Sequence, residues 1–228
     1  MDFSASPLTL MIIVVNVILS MIGFSSSSFL GKAVMWPFKV KREGQWYRFI
    51  SSGFIHADWM HLIFNMFTFY FFGRNMEIIL QRAIPNGALW FLFIYFTGLV
   101  VADIPSYLKH KDNPQYRSLG ASGAVSAVVF AAVVFDPWSQ LRLYGFISMS
   151  AMVFAILYIV YCVYMSKKSA DNVNHDAHLW GALFGLVATL VLMLTMRPDI
   201  FPFMIEDLKN PSLTGRREIG ATLKHLLY

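Results

Sequence analysis

The chain is poor in charge and nearly free of cysteine. Only 14% of its 228 residues are charged, whereas 57% are hydrophobic. A soluble domain of this length cannot bury so much apolar surface, so the composition predicts a polytopic membrane protein. The single cysteine, Cys162, excludes an intrachain disulfide and a zinc cluster built on cysteines. The formal net charge of +5 gives no reason to expect a nucleic-acid partner.

Basic residues are absent from the amino-terminal stretch. No lysine or arginine precedes Lys32, so the first apolar run lacks the basic segment of a cleavable signal peptide. We therefore expect this run to be a retained helix. Further along, lysine and arginine are divided almost evenly between the two sides of the predicted bundle. The positive-inside rule therefore does not set the orientation in the membrane.

Six apolar runs are present, at residues 8–30, 59–72, 88–101, 119–135, 146–165 and 177–196. A spanning helix needs about 20 residues, so the shorter runs must extend into their polar flanks or lie at a shallow depth. The sequence predicts an all-α membrane protein with six transmembrane helices in one domain, residues 1–196. Residues 197–228 are expected to form an extramembrane tail.

The segment at about 32–57 differs from the apolar runs. It mixes tryptophan, tyrosine and phenylalanine with lysine and arginine, which is typical of a structure lying in the membrane interface. At its end Asp58 is expected to cap the second helix, and Asp176 the sixth, because aspartate is a preferred residue just before a helix.

Polar residues occur near the start of three helices that run in the same direction. His61 and Asn65 are four residues apart, so they share one face of the second helix. Ser122 begins the fourth helix and His178 the sixth. A serine at a helix amino terminus, with a histidine to accept its proton, predicts a nucleophile and base inside the membrane. Since Asp176 lies on the wrong side of its helix to orient His178, a dyad is favoured over a triad.

Each of these residues also has a packing interpretation. Glycine, alanine and serine around Ser122, and Gly181 with Gly185, are small residues that allow helices to touch. The side chains of His61 and Asn65 could form hydrogen bonds between helices. The four polar residues taken together favour catalysis, because an intramembrane histidine is rare and usually functional.

A zinc site is the other chemical possibility. His56, His61, His175 and His178 are potential ligands. However, the sequence has no His-Glu-x-x-His motif, and the last two histidines straddle the expected helix start. We therefore expect no metal and no cofactor.

The motifs resemble those of a known family. They are His-x4-His-x3-Asn at 56–65, Gly-Ala-Ser-Gly at 120–123 and Ala-His-Leu-Trp-Gly at 177–181. In order, spacing and helix number they resemble the rhomboid intramembrane serine proteases. Trp-Tyr-Arg at 46–48 is similar to the family's first-loop motif, and Gly-x3-Glu at 73–77 resembles the turn after its second helix.

The resemblance implies a six-helix rhomboid-like bundle in which Ser122 is the nucleophile and His178 the base. It implies oxyanion stabilisation by His61 and Asn65. Structural roles near the site fall to four further residues, Gly120, Gly123, His56 and Gly181. The implied activity is cleavage of single-span membrane proteins within the lipid bilayer at an extracytosolic site, without a metal or cofactor. The expected location is a bacterial inner membrane.

One position departs from the resemblance. Well-known bacterial members have an aromatic residue one turn after the serine that stacks on the catalytic histidine, and here that position is Ser126. We therefore expect the ring of His178 to be held mainly by helix packing through Gly181 and Gly185.

Two other functions stay open. One is a catalytically inactive rhomboid-like protein that binds membrane proteins, although such proteins usually lose the serine or the histidine. The other is a small transporter, which should show acidic residues in the middle of its spans or a helix-breaking repeat. We find neither feature in the predicted spans.

Overall fold

The protein is described by a computed structural model that covers residues 6–143, 147–168, 173–211 and 225. Three short helices form the loop between the first two long helices: α2 (Ser27–Ala33), α3 (Pro37–Glu43) and α4 (Arg48–Ser51). A fourth short helix, α10 (Phe201–Lys209), follows the last long helix. Six longer helices pack together as a bundle: α1 (Pro7–Ser25), α5 (Trp59–Ala83), α6 (Gly87–His110), α7 (Ser122–Phe135), α8 (Ala151–Lys168) and α9 (His175–Met196).

Four helices among the described residues are long and apolar enough to cross a membrane, namely α1, α6, α8 and α9. Helix α7 is apolar but has only 14 residues, and α5 carries charged side chains. The predicted all-α membrane bundle is confirmed, while its count of six spans stays a prediction. Half of the predicted tail, residues 212–224 and 226–228, lies outside the described residues.

Several helix boundaries differ from the apolar runs. The first helix ends at Ser25, because Ser26 is extended and its hydroxyl accepts from the amide of Phe29 to start α2. Helices α5 and α6 continue well beyond residues 72 and 101. An antiparallel pair of strands, β1 (Gln140–Leu143) and β2 (Ile147–Ser150), precedes α8, and β2 replaces the start of the helix predicted at 146–165.

Glu77 explains how α5 can remain helical through charged sequence. Its carboxylate is fully buried and accepts from the amides of Leu8, at 3.0 Å, and Thr9, at 2.8 Å. The hydroxyl of Thr9 donates to the same carboxylate at 2.7 Å. These donors belong to the first turn of α1, which lacks partners within its own helix. The expected turn at 73–77 is therefore wrong, since both Gly73 and Glu77 lie inside α5.

Arg48 anchors the predicted interfacial segment. It is 2% exposed, and its guanidinium donates to the carbonyls of Gly31, at 3.1 Å, and Val34, at 2.6 Å. Its Nε also donates to Gln45 Oε1 at 2.6 Å. Five hydrogen-bond donors in a fixed fork allow one arginine to join several backbone segments. The loop between α1 and α5 is thus an ordered set of short helices that Arg48 holds together.

Helix α7 is the centre of the bundle and packs against α5, α6 and α9. Its contact with α9 is unusually close. A Cβ atom added to Gly181 would lie 2.1 Å from the carbonyl oxygen of Gly123, and one added to Gly185 would lie 1.9 Å from that of Ala127. Only glycine permits this approach of two backbones. The two glycines thereby set the separation of α7 and α9.

Candidate active site

Ser122 is the first residue of α7, at the end of a tightly held loop. Before it, Ser118 exchanges backbone hydrogen bonds with Met35, and the amide of Gly120 donates to the carbonyl of Ser52 at 2.9 Å. Gly120 has a φ of +122°, a conformation that L side chains rarely adopt. The loop turns sharply enough to place Ser122 beside the unpaired amides of the first turn of α7.

A small cavity lies beside Ser122. It has a volume of about 20 Å³, which is enough for a water molecule. Ser122, Asp103, Ser118 and Asn174 contribute polar groups to its wall, and leucine, alanine and glycine complete it. The side chain of Ser122 is partly exposed. A nucleophile and a hydrolytic water therefore have room at this end of α7.

His61 lies against the same loop. A Cβ atom on Gly120 would lie 2.7 Å from Cε1 and 2.9 Å from Nε2 of the His61 ring. The structure therefore places the His61 ring in contact with Gly120, which precedes Ser122 by two residues. Asn65 is buried on the same helix, and its amide donates to the carbonyl of His61 at 2.9 Å. That bond uses one of its two amide hydrogens.

The ring of His56 packs against the ring of His61. Its Nδ1 lies 2.9 Å from the hydroxyl of Ser20, and its ring meets that of His61 edge to face at 5.0 Å. The pKa of His56 is lowered to about 3, first by burial and then by the neighbouring His61, while Asp58 opposes the shift. Because His56 is neutral at physiological pH, it packs against His61 without repelling it.

The cap of α5 was predicted correctly and that of α9 was not. Asp58 accepts from the amide of His61 at 2.8 Å, as expected. Helix α9, however, begins at His175, and Asn174 caps it by accepting from the amide of Ala177 at 3.1 Å. Asp176 instead contacts Lys109, at 3.3 Å, and Ser166. Both oxygens of the Asp176 carboxylate thus have partners on α6 and α8.

The contact between α7 and α9 occurs at the level of Ser122 and His178. A Cβ atom on Gly123, next to Ser122, would lie 3.5 Å from the carbonyl oxygen of Ala177, next to His178. Gly181, one turn further along α9, touches Gly123 directly. The residues that flank the expected nucleophile and base are therefore in van der Waals contact. This arrangement places Ser122 and His178 on adjoining helix ends.

Tyr158 is a residue of this site that the sequence reasoning missed. Its ring, on α8, is nearly parallel to that of His178, with an interplanar angle of 17° and centroids 6.3 Å apart. Its hydroxyl lies 2.7 Å from the hydroxyl of Ser126. An aromatic ring thus faces His178 from another helix, although Ser126 replaces the ring expected on α7. The expectation that His178 is held mainly by glycine packing is therefore incomplete.

Asp103 was also missed. It lies within α6, beyond the predicted end of that span, lines the cavity of Ser122 and accepts from the hydroxyl of Ser52 at 3.4 Å. Together with Glu77 on α5, it shows that long helices of the bundle do contain acidic residues. Both residues lie outside the apolar runs that the sequence predicted, at 59–72 and 88–101. A longer reading of the helix, through Pro105, would have found Asp103.

One group of potential metal ligands occurs within the described ranges. Cys162, His175 and His178 each place one ligand atom within 4.8 Å of the others. Both histidines belong to α9, so the expectation that they straddle the helix start was wrong. The zinc alternative considered from the sequence joined four histidines and did not include this cysteine.

Comparison with known proteins identifies a shared domain. A family model described as Rhomboid domain matches residues 43–195. Among curated proteins, Rhomboid-like protein 11, chloroplastic, from Arabidopsis thaliana is 33% identical over 177 residues, covering 73% of this chain and 58% of that protein. RHOMBOID-like protein 12, mitochondrial, from the same plant is 27% identical over 162 residues, covering 64% and 46% respectively.

A bacterial relative is also similar. YdcA of Bacillus subtilis (strain 168), whose name presents it as a candidate rhomboid protease, is 28% identical over 148 residues, covering 65% of this chain and 68% of its own. The chain spans about half the length of the two plant relatives. The shared domain supports a multi-pass membrane protein. Since these relatives come from a chloroplast, a mitochondrion and a bacterium, they do not indicate which membrane contains it.

Proposed function

Because this chain belongs to the rhomboid family, we propose that it is an intramembrane serine endopeptidase that cleaves transmembrane segments of other membrane proteins. The observation that carries the proposal is the position of Ser122. It begins the most buried helix, lines a water-sized cavity and adjoins the end of α9 that bears His178. A serine needed only for helix packing would not require the positive-φ turn at Gly120 before it.

The proposed reaction uses a Ser–His dyad. His178 accepts the proton of the Ser122 hydroxyl, and Oγ attacks the carbonyl carbon of the scissile bond. The negative charge that develops on the carbonyl oxygen is stabilised by the free amides at the start of α7 and by the His61 ring beside Gly120. His178 then gives its proton to the departing amine. Water from the cavity releases the acyl group by the same steps in reverse.

Asn65 has a secondary part in this mechanism. Its amide already donates to the carbonyl of His61, and a second hydrogen remains to donate toward the oxyanion or to fix the helix turn that holds His61. We assign the stronger donation to His61, because it lies against the loop of Ser122. His56, Gly120, Gly123 and Gly181 hold the surrounding backbone and rings in place.

Tyr158 positions His178 in the proposed mechanism. A ring facing the imidazole limits its rotation, and the hydroxyl bond to Ser126 fixes the tyrosine relative to α7, the helix of the nucleophile. Restricting the base in this way holds nitrogen and hydroxyl at a reactive distance, which is worth several kcal/mol in well-oriented reactions. The sequence change at Ser126 is therefore compensated by α8.

The proposed substrates are single-span membrane proteins. They reach the site through the bilayer, since the outer faces of α5 and α8 are apolar and exposed. No metal or cofactor takes part in the proposed reaction, because the charge is carried by backbone and side-chain donors. The bacterial inner membrane expected from the sequence remains a prediction.

The test compares two serines that line the same cavity. Purified chain in detergent is offered a panel of single-span substrates and a fluorophosphonate probe. Wild type and Ser118→Ala should cleave a substrate and take the covalent label. Ser122→Ala should lose both, with a rate loss of at least about a thousandfold and an unchanged melting temperature. Cleavage by folded Ser122→Ala would contradict the proposal. Absence of cleavage and label in the wild type would favour an inactive, protein-binding relative.

A further inference from the structure

A cysteine and two histidines converge where α8 meets α9. Sγ of Cys162 and one ring nitrogen each of His175 and His178 lie within 4.8 Å of one another. Cys162 and His175 are buried, whereas His178 is partly exposed. We propose that these three residues form a binding site for a zinc-like divalent cation, and that the bound cation inhibits the enzyme by occupying His178.

The ligand types select the class of cation. One thiolate and two imidazoles form a set that zinc and cadmium prefer, whereas magnesium and calcium require oxygen ligands. Three protein ligands leave a fourth tetrahedral position for water. The partly exposed edge of His178 gives a path by which the cation can enter.

The geometry requires only small movements. Zinc binds imidazole nitrogen at about 2.0–2.1 Å and thiolate at about 2.3 Å, so a tetrahedral site needs ligand atoms about 3.3–3.6 Å apart. It would hold two histidine ring centroids about 5.2 Å apart, and those of His175 and His178 are 5.9 Å apart. Adjustments of about 1 Å therefore close the site.

The backbone already holds the three ligands at one level. His175 and His178 are three residues apart in the first turn of α9, so they share a face. On α8, Tyr161 precedes Cys162, and its ring meets that of His175 edge to face at 5.4 Å. This contact fixes the two helices against each other beside the proposed site.

Binding removes the base from the reaction. The thiol of Cys162 releases its proton to solvent as sulfur bonds to the metal, and each histidine contributes a nitrogen lone pair. A neutral imidazole has one lone pair, and its other nitrogen carries hydrogen. With that lone pair on the metal, His178 cannot accept the proton of Ser122, whichever nitrogen is bound. This inhibition rests on the proposed protease function, whereas the binding does not.

Binding is measured with cadmium alone. A cadmium–thiolate bond absorbs in the ultraviolet through charge transfer, and Cys162 is the only cysteine, so the signal reports this residue. The full-length protein and a control, His110→Ala, should show the band and saturate at the same cadmium concentration. Cys162→Ser should lack the band, and His175→Ala should need at least about tenfold more cadmium. A folded wild type without the band would overturn the site.

Inhibition is measured with zinc in the proteolysis assay. Zinc should inhibit the wild type, and excess EDTA should restore its full rate. Cys162→Ser should cleave at about the wild-type rate without metal and need at least about tenfold more zinc for half inhibition. Equal zinc sensitivity of the two proteins would overturn inhibition through this site. A cadmium band in a protein that cleaves nothing would refute the protease function and leave the metal site standing.

Discussion

Replacing Gly181 by alanine tests how closely catalysis depends on the contact between α7 and α9. The new Cβ atom would lie 2.1 Å from the carbonyl oxygen of Gly123, whereas real Cβ atoms essentially never come closer than 3.0 Å to a neighbour. Both partners are backbone, so no side chain can turn aside. Helix α9 must therefore move away from α7 by about 1 Å.

The movement acts directly on the proposed dyad, because Gly181 is one turn from His178 and Gly123 adjoins Ser122. A displacement of about 1 Å can cost about a hundredfold in rate, which corresponds to about 2.7 kcal/mol in the activation free energy. Stability should change less, since alanine favours a helix over glycine by about 1 kcal/mol and this gain offsets part of the lost packing. We expect kcat to fall about a hundredfold in a protein that remains folded.

The assay compares kcat, KM and melting temperature for one single-span substrate in detergent. Gly31→Ala is the matched control, because a Cβ atom on Gly31 meets nothing within 4 Å, and it should behave as wild type. A Gly181→Ala protein with the wild-type kcat would refute the reasoning, since the clash would then be absorbed without moving the dyad.

Three further predictions concern residues around this contact. Tyr158→Leu should lower kcat by about tenfold or more and change the pH–rate profile, whereas Tyr158→Phe, which keeps the ring, should retain most activity; equal losses would assign the effect to the Ser126 hydrogen bond. Glu77→Ala should lower the free energy of unfolding by about 1–3 kcal/mol, seen in thermal unfolding, because the first turn of α1 loses its acceptor; an unchanged melting temperature would show that water replaces it. His56 has its pKa lowered from 6.5 to about 3 on folding, so its contribution to stability is complete above pH 6.5 and is lost as the pH falls toward 3; His56→Gln should reduce this acid dependence in unfolding titrations, and an identical pH profile would contradict the shift.

The sequence predicts the features of this fold that depend on local pattern. Apolar runs give the number and order of the long helices. Asp58 marks the start of α5, because its carboxylate accepts a hydrogen bond from the nearby amide of His61. The candidate site follows from motif spacing, which places Ser122 and His61 near helix starts. Their approach through Gly120 agrees with that expectation.

Features that depend on distant partners are not visible in the sequence. Hydropathy falls near Glu77 and Asp103, so the predicted runs end early. Yet hydrogen bonds from α1 satisfy Glu77, and Asp103 lines the cavity beside Ser122. Asp176 and Asn174 are both good helix caps, and contacts with Lys109 and Ser166 decide between them. Tyr158 could be found only once α8 was seen beside His178, because helix periodicity does not reveal which helices are neighbours.

Helix α8 introduces a population effect into the proposed mechanism. It has the smallest buried share of the four membrane-length helices, 17% against 39% for α6, yet it carries Tyr158 and Cys162. A molecule in which α8 left α9 would lack this ring and this thiol beside His178, so in the proposed mechanism the rate would scale with the docked fraction. Thicker bilayers or detergents that favour undocking should slow cleavage by removing the Tyr158 ring that positions His178. A cation bridging Cys162 to α9 would make docking complete while silencing the base, so the most rigid form of the protein would be its inactive one.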